Sequence, residues 1–589
     1  MSKDFIERPR KNEKDGAIAY VQELLKQARE DRRNDDVDKL ENLIRLLNTK
    51  KYGLVWEEHA ELVEEEMKTK IPVFVEDETK KIMGNPESED YNFLLEGDNL
   101  HSLHLLKKTH AGKIDVIYID PPYNTGNKDF VYNDKIIDKT DGYSHSKWLS
   151  FMSNRLNIAR ELLSDSGVIF ISIADHEQAQ LKLLCDGIFG SENFIASFIW
   201  KITGHTDNQE DVTQNHEYIH CYSKHKSKVK INNIIDPNIP EDSKVRRNFA
   251  ENSITKNGAK NPPSFIELPE GFPCVTEELK REAFEKFDDF FNEVTENKFI
   301  SRGLTKKYSA SYPIPVTEMI VSNYKLERNC TVFSGWANNG KLKKFIENNC
   351  EPIEDNGTYI KFFLSKNGVI YYRRENRESH YVQTVLENLG TTETNKYMLE
   401  GMGIGFDYPK PIDLIKYIVS LYSKKESWVL DFFAGSGTTG HAVAQLNKED
   451  GGNRKFILCT NNENKIAEEV TYKRLANIQA ELPHNLKYFK TDFVVKEEFP
   501  DVTLEYELLN YVTPLVELEF GVDISNPKVQ VILSEDQLDE MDESDFVENS
   551  TLFFHPEIFF DAKQESILRE KNITKQEIPD YYFGKDIWL

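Results

Sequence analysis

A predominantly apolar run, Ile114 to Ile119, ends directly in an acid, two prolines and an aromatic residue. A short run rich in β-branched residues predicts a buried β-strand. Each proline fixes φ and lacks an N–H, so Pro121 and Pro122 prevent the chain from continuing as a strand or turning into a helix. We therefore expect a rigid loop at the carboxyl end of this strand, which begins at Asp120 and reaches Tyr123.

The loop carries groups that can act on an amine attached to a planar ring. The carboxylate of Asp120 can accept one amine hydrogen bond and the carbonyl of Pro121 can accept the other, which draws the nitrogen towards a nucleophilic geometry. Pro122 stiffens this carbonyl, and Tyr123 offers an aromatic face to a base that has left its stack. The alternative for the same four residues is an ordinary strand-to-turn junction.

A second strand signal, Trp428 to Asp431, leads into a glycine-rich turn and then a helix. Such a turn lets a ligand approach the main chain, and the helix N-terminus favours polar or anionic groups. No Gly-Lys-Ser/Thr follows, so the turn is not an ATP-binding loop. Gly435, Gly437 and Gly440 satisfy the dinucleotide pattern, but the next strand ends in Thr460 where that pattern requires an acid. The turn is typical of a nucleoside cofactor site.

The order of these two motifs resembles the amino-methyltransferases of DNA that use S-adenosylmethionine, in the class where the catalytic motif precedes the cofactor motif. Gly97-Asp98-Asn99 is similar to the family motif whose acid contacts the cofactor adenine. Phe406 to Pro411 is similar to the segment that closes over the methionine end. The resemblance narrows to the Mod subunits of type III restriction-modification systems. Their hallmarks are the extended Asp120 to Gly126, the stretch Gly405 to Pro411, and an acidic C-terminal domain that ends in Ile578 to Phe583.

This resemblance implies a set of site residues. The catalytic set is Asp120, Pro121, Pro122 and Tyr123. The cofactor set is Asp98, Phe406, Asp431, Phe433, Gly435, Gly437, Thr438 and Glu463. Glu463 is included because Thr460 stands where the family usually places an acid on the ribose hydroxyls. Structural alternatives stay open for three of them: Asp98 as a helix N-cap, Phe433 as a core residue and Glu463 as a helix-start acid.

The composition limits the class of protein. A chain of 589 residues is long enough for several domains. No apolar stretch approaches the roughly 18 residues of a membrane-spanning helix, and no signal sequence is recognised, so we expect a cytoplasmic protein without membrane contact. The six cysteines contain no Cys-x-x-Cys pair, which favours reduced thiols and no metal site.

A formal net charge of −26 is unusual for a DNA-binding protein, since phosphates attract Lys and Arg. Residues 491–589 hold 7 basic and 24 acidic residues, or −17, which leaves −9 for residues 1–490. Residues 298–344 are basic, and we expect the DNA-facing surface there. The chosen DNA contacts are Lys306, Lys307, Arg328, Lys343 and Lys344. Further candidates are Arg373, Arg374 and Arg377, for which a solvated charged face is the alternative.

The motif order divides the chain into five regions. They are a helical region at 1–91 with predicted helices at 16–29 and 37–47, a catalytic half at 92–223, a target-recognition domain at 224–399, a cofactor half at 400–490, and an acidic C-terminal domain at 491–589. Alternating strands and helices in the two halves predict one α/β, Rossmann-like methyltransferase sheet that is mostly parallel. Both motifs should lie at the carboxyl ends of its strands.

We expect the chain to transfer a methyl group from S-adenosylmethionine to N6 of an adenine rotated out of duplex DNA. Two alternatives stay open. One is methylation of cytosine N4, for which the family more often has Ser in place of Asp120, and the other is a non-catalytic DNA-binding specificity subunit. The resemblance also implies double-stranded DNA as a partner, a homodimer and a separate Res helicase-nuclease subunit. Cleavage would require that subunit, because the sequence has no ATP-binding Gly-Lys-Ser/Thr loop.

Overall fold

A computed structural model gives the fold of most of the chain. It describes residues 13–30, 36–37, 39–40, 43–44, 56–86, 88–126, 130–132, 135–138, 140–202, 214–243, 246–247, 249–375, 381–495, 509–579 and 582–583. These residues form two compact units. The first comprises the described residues up to Lys230 together with those from Thr384 onward, and the second is Ile231–Gln383.

The strands are numbered in chain order. They are β1 (Lys70–Glu76), β2 (Ile82–Met83), β3 (Asn92–Glu96), β4 (Ile114–Ile119), β5 (Val131–Tyr132), β6 (Lys135–Ile136), β7 (Leu163–Ile173), β8 (Phe194–Lys201), β9 (His216–Ser223), β10 (Ala250–Ser253), β11 (Pro263–Leu268), β12 (Leu279–Arg281), β13 (Ile314–Pro315), β14 (Met319–Ser322), β15 (Lys325–Leu326), β16 (Cys330–Gly335), β17 (Ile353–Asp355), β18 (Thr358–Leu364), β19 (Ile370–Arg374), β20 (Val385–Leu386), β21 (Trp428–Asp431), β22 (Lys455–Thr460), β23 (Asn485–Val495), β24 (Val529–Ile532), β25 (Thr551–Phe554) and β26 (Thr574–Glu577).

The helices are numbered in the same way. They are α1 (Glu13–Glu30), α2 (Leu62–Thr69), α3 (Asn99–His110), α4 (Ser144–Leu162), α5 (Asp175–Cys185), α6 (Phe287–Asn297), α7 (Arg302–Tyr308), α8 (Asn339–Glu347), α9 (Thr392–Gly401), α10 (Ile412–Ser420), α11 (Thr438–Asp450), α12 (Lys473–Asn477), α13 (Leu509–Phe520), α14 (Glu535–Asp539) and α15 (Ala562–Glu570). Shorter turns of 3₁₀ or π geometry are Glu78–Lys80, Asp186–Gly190, Ser191–Asn193, Lys226–Lys228, Glu463–Lys465, Ile466–Tyr472 and Ile478–Ala480.

One large sheet organises the first unit, with strand order β1-β23-β3-β22-β21-β4-β7-β9-β8-β20 and with β2 also paired to β23. The six strands from β23 to β7 are mutually parallel, while β1, β2 and β9 run antiparallel to their neighbours. The central strands β3, β4, β21 and β22 are buried along almost their whole length. Such burial is typical of parallel strands covered on both faces. The predicted mostly parallel α/β sheet is confirmed.

The two predicted halves interleave within this sheet. Strands β21 and β22, which come late in the chain, lie between β3 and β4 of the earlier segment. The register pairs Val429 with Val116 and Leu430 with Ile117, in parallel. The carboxyl ends of β4 and β21 therefore meet at the same edge of the sheet.

The described residues of the second unit form short antiparallel sheets and three helices. The sheets have the strand orders β10-β19-β18-β17, β11-β16-β13 and β12-β14-β15, and the helices are α6, α7 and α8. Its core includes the fully buried Leu268, Val332 and Leu364. This unit therefore has a hydrophobic core of its own.

The C-terminal part of the first unit adds α13 and a small parallel sheet, β24-β25-β26, with α14 and α15. At the other end of the chain, α1 includes the predicted helix at 16–29, whereas most of the predicted helix at 37–47 lies outside the described residues. Within the described ranges, no helix is both long and apolar enough to cross a bilayer.

Candidate active site

The acid of the loop after β4 lies in a cluster of four polar side chains. The Tyr123 hydroxyl is 2.8 Å from Asp120 Oδ1 and 2.9 Å from Glu217 Oε2. Lys410 Nζ donates to the Tyr123 oxygen at 2.8 Å and lies 3.0 Å from Asp120 Oδ2 and 3.1 Å from Glu217 Oε2. Two carboxylates, a phenol and an ammonium therefore meet at the carboxyl end of β4.

The charges in this cluster depend on one another. Burial raises the pKa of Asp120, and the Lys410 ammonium opposes that rise. For Lys410 itself, burial disfavours the charge, but the carboxylates of Asp120 and Glu217 outweigh it and raise its pKa. Burial and the same two carboxylates raise the pKa of Tyr123 well above its usual value, so this phenol stays neutral.

Neighbouring side chains hold the loop in place. The Trp148 indole N–H donates to the Pro122 carbonyl at 2.7 Å. Asn124, which has a positive φ of 56°, donates to the buried Glu177 at 2.6 Å. In the described part of the chain, no group donates to the Pro121 carbonyl. The loop thus has a fixed conformation and one uncommitted carbonyl beside Asp120.

The glycine-rich turn follows β21 at the adjacent strand end. Asp431 Oδ1 accepts the Phe433 N–H at 3.0 Å, and Oδ2 accepts the Thr439 hydroxyl at 2.5 Å. Burial raises the pKa of Asp431 to about 7. Gly435 and Gly437 have φ values of 49° and 72°, which glycine adopts without strain. A Cβ at Gly435 would lie 3.6 Å from the Phe406 ring and one at Gly437 would lie 3.1 Å from a threonine methyl, so the turn is closely packed.

A buried arginine, which the sequence did not single out, braces this turn. Arg474 Nη1 donates to the carbonyl and hydroxyl of Ser436, both at 3.1 Å, and to the Thr438 hydroxyl at 2.8 Å. Its Nε is 3.3 Å from His441 Nδ1, and burial lowers the pKa of Arg474 to about 9. Arg474 lies in α12, 36 residues beyond Thr438, so no local motif indicated the contact.

The third strand end is that of β3, which pairs with β22 on the side away from β21. Asp98 follows β3 and caps α3, since its Oδ1 accepts the Leu100 N–H at 2.7 Å. The capping alternative is therefore present in the structure. Asp98 is also 3.3 Å from Arg155, which is fully buried and pairs with Glu61 at 2.9 Å. About a third of the Asp98 side chain, 37%, stays exposed.

Thr460 and Glu463, the two residues considered for the ribose hydroxyls, differ in their exposure. Thr460 ends β22 and is buried, while its carbonyl accepts the Gly97 N–H at 3.0 Å. Glu463 is exposed at the start of the next turn. A different acid, Glu96, ends the neighbouring β3, in register with Thr460, and accepts hydrogen bonds from Asn462 and the Tyr488 hydroxyl.

The predicted DNA contacts of the second unit fall into two groups. Lys307 is paired with Glu293, and Arg328 is paired with Glu318. All five side chains are exposed, and among the described residues Lys306, Lys343 and Lys344 form no ion pair. A cation that is already paired has less to gain from a phosphate, so the three lysines without an ion pair are the stronger candidates.

Two of the three additional arginine candidates are also paired with acids. Arg373 donates to Glu251 at 2.8 and 3.0 Å, and Arg374 is 2.5 Å from Asp355. Arg377 lies outside the described residues.

Among the residues that the structure places, no cluster of His, Cys, Asp and Glu could hold a metal ion, and all six cysteines are free.

Comparison with known proteins adds a family and several relatives. Residues 114–471 match the N6/N4 methyltransferase family described as DNA methylase. The StyLTI Mod subunit of a type III restriction-modification enzyme from Salmonella typhimurium is 32% identical over 418 residues, which are 66% of this chain and 56% of that protein. The EcoPI Mod subunit of Escherichia phage P1 is 32% identical over 403 residues, or 63% and 58%.

A further relative is the type II methyltransferase M.KpnI from Klebsiella pneumoniae, which is 30% identical over 390 residues. The match covers 64% of this chain and 82% of M.KpnI. The chain thus spans less than three fifths of the two Mod subunits that it matches but most of this methyltransferase.

Proposed function

The chain belongs to the N6/N4 DNA methylase family, and we propose that it transfers a methyl group from S-adenosylmethionine to N6 of an adenine rotated out of duplex DNA. The observation that carries the proposal is the meeting of two loops at one sheet edge. The loop that begins at Asp120 and the turn at Gly435 follow β4 and β21, which are adjacent and parallel. Sites in such sheets form at the carboxyl ends of the strands.

The glycine-rich turn fits a nucleoside cofactor. A side chain at Gly435 would occupy the space towards the Phe406 ring, and both Gly435 and Gly437 have conformations that favour glycine. Residues that would hold S-adenosylmethionine are Asp98, Phe406, Asp431, Phe433, Gly435, Gly437, Thr438 and Glu463. When bound, this cofactor supplies an electrophilic methyl group on a sulfonium. The bracing of the turn by Arg474 supports a preformed site, because the buried arginine fixes Ser436 and Thr438 before any ligand arrives.

The loop after β4 would orient the amine. Asp120 accepts one hydrogen bond of the N6 amine, and the Pro121 carbonyl accepts the other. Pro122 holds that carbonyl in place through its ring and through the bond from Trp148. The Tyr123 ring provides a stacking face, and its hydroxyl lies within hydrogen-bond distance of both carboxylates, either of which can hold the ring in place.

Adenine is proposed over cytosine because of Asp120. In this family the first catalytic position is more often Ser when cytosine N4 is the target. Analysis of the methylated nucleosides of plasmid DNA treated with the enzyme distinguishes the two bases. N6-methyladenine is expected, and N4-methylcytosine without N6-methyladenine would refute this part of the proposal.

We further propose that the chain acts as a Mod subunit. The similarity to two Mod subunits supports this role. The second unit would then recognise the target sequence, with Lys306, Lys307, Arg328, Lys343 and Lys344 near the phosphates. Double-stranded DNA would be the substrate, a homodimer the working form and a Res helicase-nuclease subunit the partner for cleavage.

Substitution of the catalytic acid tests the enzymatic proposal. Asp120→Ala should abolish transfer of tritiated methyl groups while DNA binding is largely retained. The matched control is Asp138→Ala, which removes an exposed acid from the segment that follows the same loop. If Asp120→Ala keeps the transfer activity of the wild type, the assignment of the catalytic loop is wrong. If the wild type binds DNA but transfers no methyl group, the chain is a DNA-binding specificity subunit instead.

A further inference from the structure

One ammonium group serves two carboxylates at the catalytic loop. Lys410 Nζ lies 3.0 Å from Asp120 Oδ2 and 3.1 Å from Glu217 Oε2, and only 12% of the Lys410 side chain is exposed. With both acids ionised, these three groups carry a net charge of one negative unit. The proposed function gives no role to Lys410 or Glu217, although they are the charged groups nearest to Asp120 among the described residues.

The Tyr123 hydroxyl makes the two acids competitors. Its oxygen is 2.8 Å from Asp120 Oδ1 and 2.9 Å from Glu217 Oε2. A hydroxyl has one proton to donate, so Tyr123 can satisfy one carboxylate at a time. Asp120 and Glu217 therefore share both their cation and their hydroxyl donor, and a change in one acid alters the environment of the other.

Asp120 can accept an amine hydrogen bond on either of its oxygens only when its carboxyl group is ionised. An ionised carboxylate accepts on both oxygens, whereas a protonated one presents a donor on one of them. Burial favours the protonated form of Asp120 and raises its pKa. Lys410 lowers that pKa through its charge, and Glu217 raises it through like-charge repulsion.

Two titratable groups on adjacent strands also face this acid. The Tyr118 hydroxyl on β4 is 2.9 Å from Ser172, and burial raises its pKa well above the usual value, so it stays neutral. On β21, burial raises the pKa of Asp431 to about 7 and the nearby Asp120 adds to this rise. Neither neighbour carries a positive charge, so Lys410 is the cation that opposes the effect of burial on Asp120 within the described part of the protein.

We infer that Lys410 and Glu217 are positioning residues that act in opposite directions on the charge of Asp120. Lys410 holds the acid in its ionised, accepting form. Glu217 holds Lys410 beside the loop and, by its own charge, limits how strongly Lys410 stabilises the Asp120 carboxylate. This inference rests on the proposed methyl transfer, because it assigns Asp120 its charge in that reaction.

The test is the pH dependence of the single-turnover methylation rate, measured with tritiated S-adenosylmethionine and unmethylated DNA of mixed sequence. Lys410→Met removes the charge and keeps the aliphatic chain, and it should move the acidic limb of the profile to higher pH by about 1 to 3 units. Glu217→Gln keeps the shape of the side chain and should move the limb to lower pH. Because Asp120 and Glu217 interact, the position of the acidic limb in the wild type reflects both acids together and not Asp120 alone.

Two further variants serve as controls. Lys410→Arg retains the charge and should keep the limb near its wild-type position. Lys396→Met removes an exposed lysine that is paired with Asp407 at 2.8 Å, and it should leave the profile unchanged. Cofactor binding by calorimetry shows whether each variant retains a folded site.

The outcomes separate this inference from the function on which it rests. A wild type that transfers no methyl group at any pH would refute the proposed function and the inference together. An active wild type whose Lys410→Met and Glu217→Gln profiles shift in the same direction, or do not shift, would refute the inference alone. If Lys410→Met does not fold, Glu217→Gln decides, since loss of structure lowers the rate but does not move the limb to lower pH.

Discussion

The C-terminal segment that begins with α13 is joined to the main sheet by one buried cation, Lys487, and replacement of this lysine should loosen the segment. Lys487 on β23 is fully buried. Its Nζ lies 2.5 Å from Glu517 Oε1 on α13, 2.9 Å from Glu76 Oε2 on β1 and 2.9 Å from Asp523 Oδ1. Lys487→Met removes the charge and keeps most of the side-chain volume.

The expected loss follows from what each acid retains. Asp523 keeps its pair with Lys81, and Glu76 is partly exposed, so water can replace its lost partner. Glu517, 1% exposed, would keep one hydrogen bond, from the Ile524 N–H at 2.9 Å. A buried charge that loses its partner costs about 3 to 5 kcal/mol. We expect a loss of this size, most of it at Glu517.

The loss should grow with pH. Burial raises the pKa of Glu517 to about 7 in the native protein, above the ordinary value of 4.5. Without Lys487 this pKa rises further, so the native state binds a proton that the unfolded state releases. Stability then falls as pH increases from the ordinary pKa to the native one, and the deficit of Lys487→Met is largest at alkaline pH.

Hydrogen exchange of α13 measures this local stability. A loss of 3 kcal/mol or more corresponds to exchange that is faster by about 10² or more, at about 1.4 kcal/mol for each factor of ten. The matched control is Lys490→Met on the same strand, where a partly exposed lysine pairs with Asp77 at 3.2 Å and Glu468 at 3.4 Å, and about 0 to 1 kcal/mol is expected. The double variant Lys487→Met with Glu517→Met should recover most of the loss, because it removes the buried acid that Lys487→Met leaves without a cation.

Equal protection of α13 in the Lys487→Met and Lys490→Met variants would show that the buried cation does not hold the segment. A double variant that exchanges as fast as Lys487→Met alone would show that the loss does not arise at Glu517. Either result would refute the reasoning from unpaired charge.

Three other predictions concern the turn and the second unit. Asp431→Asn should remove a pH-dependent part of the stability. The native pKa of Asp431, about 7, lies above the ordinary 3.8, so the wild type loses stability as the pH rises between these values. In urea titrations its advantage over the variant should therefore shrink from acidic to neutral pH. Gly437→Ala and Gly451→Ala should each cost about 1 kcal/mol for a positive φ, but only Gly437→Ala, whose Cβ would lie 3.1 Å from a methyl group, should also weaken cofactor binding in calorimetry. Replacing both Lys343 and Lys344 by Ala should lower the slope of log affinity for DNA against log salt by up to about 2, and an unchanged slope would exclude these lysines from the phosphate contacts.

The strand ends were predictable from the sequence, because a buried apolar run followed by prolines or glycines marks both the strand and the loop after it. Their place at the same edge of the sheet also followed from the rule that sites form at the carboxyl ends of parallel strands, whereas the direct pairing of β4 with β21 came from the structure. The partners of the loop were not predictable. Glu217 and Lys410 reach Tyr123 from 94 and 287 residues away, and only the pairing of β7 with β9 and the course of the chain before α10 bring them there.

Charge counting likewise found the basic region but not its pairing. Lys307 and Arg328 belong to the predicted DNA surface, yet each is paired with an acid of the same unit. In the acidic C-terminal part, Glu517 is one of the 24 acids of residues 491–589, and the fold buries it against Lys487. A sum of charges along the chain carries no information on which acid meets which base, because that depends on tertiary packing.

The place where the second unit is inserted follows from the sheet itself. Strand β9 ends at Ser223 before the insertion, and β20 begins at Val385 after it. Both strands pair with β8, one on each side, so the chain leaves and rejoins the sheet among the last three strands of its order. Ser223 lies at the Phe194 end of β8, and Val385 lies beside Ile199, near the opposite end. The β4 and β21 ends that carry Asp120 and Gly435 lie elsewhere in the sheet, which allows the inserted unit to vary while the catalytic strands keep their register.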